Sequence, residues 1–260
     1  MNLLTVSPKS NWLNKVPEIT LSFWVIKIMS TTVGETGADF LAVNAGLGQG
    51  LTRVVMVSLL ALALIIQFRT QRFIPWIYWF TVVLVSVVGT LVTDFLTDGL
   101  GVSLYTSTAI FAVLLMVIFA CWYWVERNLS IHQIFTPRRE LFYWSAILCT
   151  FALGTATGDL ATEALGLGFM WGVVVFGILI AFIYVVWRGG GNSVLTFWIG
   201  YILTRPFGAA LGDLLTQAKA YGGFGFGAMW TSALFLIVIV ILVSIAQYSI
   251  AGSNDTQAIK

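Results

Sequence analysis

Charge is what this sequence has least of. Only 9% of its 260 residues are Asp, Glu, Lys or Arg, against about 25% in an ordinary soluble domain. Hydrophobic residues make up 59%, and the mean hydropathy is +0.94. That much apolar surface cannot enter one soluble core of this length, so the composition describes a polytopic membrane protein whose main partner is the lipid bilayer. The single histidine, His132, lies in a polar stretch, which excludes a histidine-rich metal centre and reads as a solvated loop residue. The two cysteines, Cys121 and Cys149, both fall in apolar runs; they read as small buried hydrophobes, with a disulfide or metal pair as the minor alternative. There is no nucleophile–base pair and no phosphate loop, so neither an enzyme nor a cofactor is expected. The net charge of +2 comes without a basic cluster, which argues against nucleic acid as a partner. Nor does an apolar stretch with a small-residue cleavage site precede the first long run, so the N-terminal segment is expected to be retained.

What is there is length of apolar sequence. Runs of about 20 residues, the length that crosses a bilayer, predict an all-α bundle of eight spans at 19–43, 51–68, 74–97, 103–125, 141–164, 168–187, 194–217 and 228–249. A short segment 1–18 precedes this membrane domain of residues 19–250, and a flexible tail is expected over 251–260. Connections after the odd spans are short and Gly-rich. Those after the even spans are basic, as in "RTQRFIP" and "ERNLSIHQIFTPRRE". Lys9, Lys15, Arg69, Arg72, Arg127, Arg138, Arg139, Arg188 and Lys260 fall on the side of the termini, and only Arg53 and Lys219 on the Gly-rich side. The positive-inside rule then predicts that both termini are cytoplasmic.

One unit is repeated four times, over about 19–68, 74–125, 141–187 and 194–249. Its opening stretch reads "FWVIKIMSTTVGETGAD", "YWFTVVLVSVVGTLVTD", "YWSAILCTFALGTATGD" and "FWIGYILTRPFGAALGD". Trp24, Trp79, Trp144 and Trp198 coincide. So do Gly34, Gly89, Gly154 and Gly208, and then Asp39, Asp94, Asp159 and Asp213. Because each repeat holds two helices, successive repeats enter from the same side and are parallel, related by an axis along the membrane normal. On these motifs the chain resembles a family of bacterial membrane proteins of unassigned function, built from four tandem two-helix repeats with a characteristic tryptophan. "KVPEITLSFWVIKIMSTTVGETGADF" is similar to that family's opening. The resemblance implies the four-by-two architecture and a bacterial inner-membrane location, but no activity.

The four tryptophans read as anchors at the cytoplasmic interface. The four glycines, each followed four residues later by Ala38, Thr93, Gly158 or Gly212, read as small-residue packing faces. The alternative for the glycines is local unwinding that frees carbonyls for a cation, most plausible beside Pro206. The aspartates are the outliers. Fifteen residues of helix put each about 22 Å beyond its Trp, near the far edge of a core about 30 Å thick, at a helix C-terminus where the macrodipole is already negative. An acid there needs a cation, a donor or a proton. If helices 1, 3, 5 and 7 form an inner ring, the four Asp converge, with Glu35, Asp98 and Glu163 within a turn or so. Seven of the chain's eleven acids then crowd one end. Arg205 is the internal counter-ion, with Lys27 farther down. Two readings stay open. In one, the acids form a binding site or pathway for a hard cation such as Mn²⁺ or Mg²⁺, or for protons. In the other, an Asp/Thr/Arg network only holds the ring together. The identity of a metal, if any, is not legible.

Overall fold

The computed structural model describes residues 14–41 and 48–258; the side chains of Asp39 and of residues 250–258 are also outside the described set. It is all-helical. Eight long helices follow in chain order: α1 (Leu21–Asp39), α2 (Gly48–Arg69), α3 (Pro75–Asp94), α4 (Leu104–Glu126), α5 (Pro137–Asp159), α6 (Gly168–Arg188), α7 (Ser193–Thr216) and α8 (Ala228–Ala258). Polar residues set their starts. Thr20, Ser103, Thr136 and Asn192 each cap a free backbone N–H at the first turn of α1, α4, α5 and α7, and Pro75 and Pro137 occupy positions where a missing N–H costs nothing. Seven of the described helices are long and apolar enough to cross a membrane. The exception is α1, which carries Lys27, Glu35 and Asp39.

The odd and even helices differ in environment. In α3, α5 and α7, between 61 and 72% of the most apolar stretch is buried; in α2, α4, α6 and α8 it is 11 to 28%. Helices α1, α3, α5 and α7 pack in a closed ring, each against the next, with α7 returning to α1. The even helices lie outside, their Leu, Ile, Val and Phe side chains facing outward, as suits helices whose solvent is lipid.

The repeat glycines are the ring's contact points. A Cβ on Gly34 would overlap Ser86 of α3, and one on Gly89 would overlap Phe151 of α5. On Gly154 it would overlap Arg205 of α7, and on Gly208 Thr31 of α1. Each glycine therefore lets one backbone approach the next, and the four contacts go once round the ring. The helices run through these positions without a break, including α7 through Pro206, so the unwinding considered above does not occur.

The last apolar span ends at Ser249, as expected, and its helix continues to Ala258. One other expectation is corrected. Cys149 is buried but Cys121 is exposed on the outer face of α4; the apolar run around it faces outward, not into a core. The expected N-terminal segment lies largely outside the described residues, as do 42–47 of the first connection.

Candidate cation site

The two ends of the ring differ in chemistry. At the end where the odd helices begin, Phe23, Tyr78, Trp79, Tyr143, Trp144, Phe197, Trp198 and Tyr201 form a continuous aromatic layer, with neighbouring ring centroids 5.2–6.5 Å apart. The hydroxyls of Tyr78 and Tyr143 meet at 2.5 Å inside it. Trp79, Trp144 and Trp198, expected as anchors at the cytoplasmic interface, are only 3–4% exposed and pack inside this layer instead. They point into the ring, where large flat side chains from the four helices pack on one another. Trp24 is half-buried and packs edge-on to Phe23.

Segment 14–16 and the connection 127–136 cover the same end. Lys15 N–H donates to Ile134 O, Ile134 N–H to Asn14 Oδ1, and Trp198 Nε1–H to Leu129 O. Lys15 Nζ forms a buried ion pair with Glu140 Oε2 at 2.6 Å, while Gln67 Nε2 donates to Glu140 Oε1. His132 is exposed in a short 3₁₀ turn of this connection, where a solvated loop residue was expected.

At the opposite end the acids gather. Carboxylate oxygens of Glu35 on α1, Asp159 on α5 and Asp213 on α7 lie within 4.8 Å of one another. They border a cavity of about 220 Å³ that is also lined by Asp94, Asp98, Glu163, Arg53 and Gln217. Glu35 and Asp213 are buried, Asp94 and Asp159 half-buried, and Asp98 and Glu163 exposed at the mouth. The sequence thus named six of the cavity's acids correctly as neighbours. The seventh, Asp39, ends α1, and its side chain lies outside the described set. Directly after Asp94 and Asp159 the chain widens into π-helical turns, Phe95–Gly99 and Leu160–Ala164. These carry Asp98 and Glu163 round toward the mouth. Such widened turns recur at functional sites, and residue spacing alone does not reveal them.

Arg205 forms the floor below. It is fully buried and reaches all three other ring helices. Its Nη2 donates to Glu35 Oε2 at 2.8 Å, to Thr155 Oγ1 at 2.6 Å and to Thr90 Oγ1, and its Nη1 donates to Thr31 O at 3.1 Å. Of the other threonines expected to staple the ring, Thr93 bonds across to Ala152 O and Thr36 to Ser232, whereas Thr157 only returns to its own helix. Sequence reasoning missed Arg53. Its guanidinium lies 4.6 Å from the centre of the Phe95 ring and donates to Gln49 at the cavity wall; its position in a loop-proximal turn gave no sign that it would line the same cavity as the acids.

The arrangement can hold a hard cation: three carboxylates from three helices converge, oxygen-only, at the base of a water-sized opening. A family model described as Repeat of Unknown Function (DUF347) matches residues 22–73, 77–128, 142–189 and 196–250. No curated protein and no solved structure matches the chain.

Proposed function

The chain belongs to this DUF347 repeat family, and from its four repeats and the geometry of the acid end we propose that it moves a hard cation, Mn²⁺ or Mg²⁺ in the first instance, across a bacterial inner membrane. In this reading all eight helices span the bilayer as four parallel two-helix repeats about the membrane normal. Both termini are cytoplasmic, the acid cavity opens to the opposite side, and no chemistry is performed on the substrate. The observation that carries the reading is the approach of Glu35, Asp159 and Asp213 within 4.8 Å at the base of an open cavity. Intramembrane acids are costly and default to substrate or ion pathways. The oxygen donors of the lining, six acids with Gln49, Gln217 and Thr97 and no thiol or imidazole among the described residues, favour hard ions over soft ones.

A second reading has one observation in its favour. Arg205 ties α1, α3 and α5 to α7 through Glu35 and two threonines, so the same acids serve as a purely structural staple. Flux separates the two. Purified protein in proteoliposomes should take up Mn²⁺ or Mg²⁺ in a panel that also includes H⁺, Na⁺, K⁺ and Ca²⁺. The paired change Asp159→Asn and Asp213→Asn, which leaves the Glu35–Arg205 pair intact, should abolish that uptake. Uptake equal in both proteins would refute transport through this site, and a folded wild type that moves no ion would leave the staple as the reading.

A further inference from the structure

Lys27 has no place in the acid cavity, yet it is the most anomalous side chain in the ring. It is 1% exposed, on α1, two turns from Glu35 toward the aromatic layer. Its Nζ has no hydrogen-bond acceptor, and it forms no ion pair among the described residues. Instead it lies 4.0 Å from the centre of the Phe151 ring on α5 and 4.2 Å from that of Tyr201 on α7. The Arg205 guanidinium carbon is 5.7 Å from the same Phe151 ring. The titratable or charged groups shown beside Lys27 are therefore Tyr201 and Arg205, both from α7. None is a carboxylate. Aromatic faces hold an ammonium by about 2 kcal/mol when it is desolvated, less than the several kcal/mol that burying an ion costs. A charge held this weakly responds to any change of charge beside it.

Such a change is built into the cavity. With all groups ionised, Lys27 and Arg205 set two positive charges against the negative charges of Glu35, Asp159 and Asp213 and of the half-buried Asp94 that lines the same cavity. A divalent cation on the three carboxylates adds two positive charges to this set. It also draws on Glu35, the carboxylate that neutralises Arg205. Arginine keeps its proton in proteins, whereas a buried lysine gives its proton up readily.

We propose that Lys27 is an internal proton-binding site that exchanges against the cation: binding of the divalent ion at Glu35, Asp159 and Asp213 breaks an N–H bond of the Lys27 ammonium, the amine keeps the electron pair, and the proton passes to water. Loss of that one proton offsets half of the charge the ion brings in. The inference rests on the cation reading above, and it makes the protein a cation–proton exchanger with Lys27 as the coupling residue.

The test is Mn²⁺ binding by the full chain in detergent, measured by calorimetry over a range of pH in buffers of different ionisation enthalpy. Wild type should release more protons per bound Mn²⁺ than Lys27→Met, by close to one. Its affinity should correspondingly rise by about a further tenfold per pH unit, the dependence that one released proton imposes. Lys27→Arg carries a fixed charge of similar reach. It should lose the same proton release while binding Mn²⁺ more weakly than wild type, whereas Lys27→Met binds more tightly at low pH. A merely structural lysine would shift both variants in the same direction. Equal proton release in wild type and either folded variant overturns the role of Lys27 and leaves the site standing. A folded wild type that binds no Mn²⁺ overturns both.

Discussion

Each end of the ring contains one buried glutamate paired with one buried cation, and the two pairs are built differently. At the aromatic end both oxygens of Glu140 are engaged, Oε2 by Lys15 and Oε1 by Gln67, and Lys15 also donates to Phe68 O. At the acid end the hydrogen bonds described for Glu35 all use Oε2, from Arg205 and Thr90. Two further carboxylates stand within 4.8 Å, and a cavity adjoins it. A saturated pair closes a structure. A half-used pair beside more negative charge has capacity for a ligand. The surroundings agree with this division, since the Glu140 end is covered by segment 14–16 and the connection over it, while among the described residues the Glu35 end adjoins a cavity.

Breaking the half-used pair should have the largest effect on stability. Glu35→Gln leaves the Arg205 guanidinium fully buried without a carboxylate, and arginine cannot escape by losing its proton. Removing one partner of such a pair costs about 3–5 kcal/mol. The midpoint of denaturant-induced unfolding in detergent, followed by tryptophan fluorescence, should fall accordingly, and Mn²⁺ binding should be lost with it. Arg205→Met combined with Glu35→Gln should be less damaging than Glu35→Gln alone, because no buried charge is then left unpaired. If the double variant is the less stable of the two, the pair is not what makes the single change costly.

Glu140→Gln should cost less, about 1–3 kcal/mol, since Lys15 keeps the Phe68 carbonyl as an acceptor. Its value lies in what it should leave alone. Mn²⁺ affinity and its pH dependence should match wild type within error once the protein is folded. A change in affinity of tenfold or more would show that the two ends are coupled and that the contrast drawn between them is false.

How much of this was legible in the sequence follows the same division. The repeat spacing exposed the ring, because Gly34, Gly89, Gly154 and Gly208 must each meet a neighbour and the structure has each meeting the next helix round. It also exposed the acids, because a carboxylate in an apolar run violates burial energetics whatever the fold. The direction of the tryptophans was not legible. An interfacial Trp and an inward Trp share the same height along a helix and differ only in rotation about it, which needs the neighbouring helices to be known. Arg205 was marked as a counter-ion by its isolation. Which acid it would choose depended on α1 lying beside α7, a long-range contact that no local pattern encodes. Lys27 read as a lone charge far below the acids, and only the Phe151 and Tyr201 rings around it show how it is held.

The smallest effect is expected at the mouth, where the contrast between the ends can be sharpened most cleanly. Asp98 and Glu163 are exposed on the π-helical turns, so Asp98→Asn with Glu163→Gln should change stability by no more than about 0.5 kcal/mol. Mn²⁺ affinity should nevertheless fall a few-fold at low ionic strength, because both carboxylates line the same cavity as the deeper three and attract the ion on its way in. At 1 M salt, where charges are screened beyond about 3 Å, the difference from wild type should vanish. The deeper acids act by direct contact and should keep their effect at any salt. A mouth variant whose deficit persists at 1 M salt would place Asp98 and Glu163 among the ligands themselves, and would move the site outward from the floor that Arg205 provides.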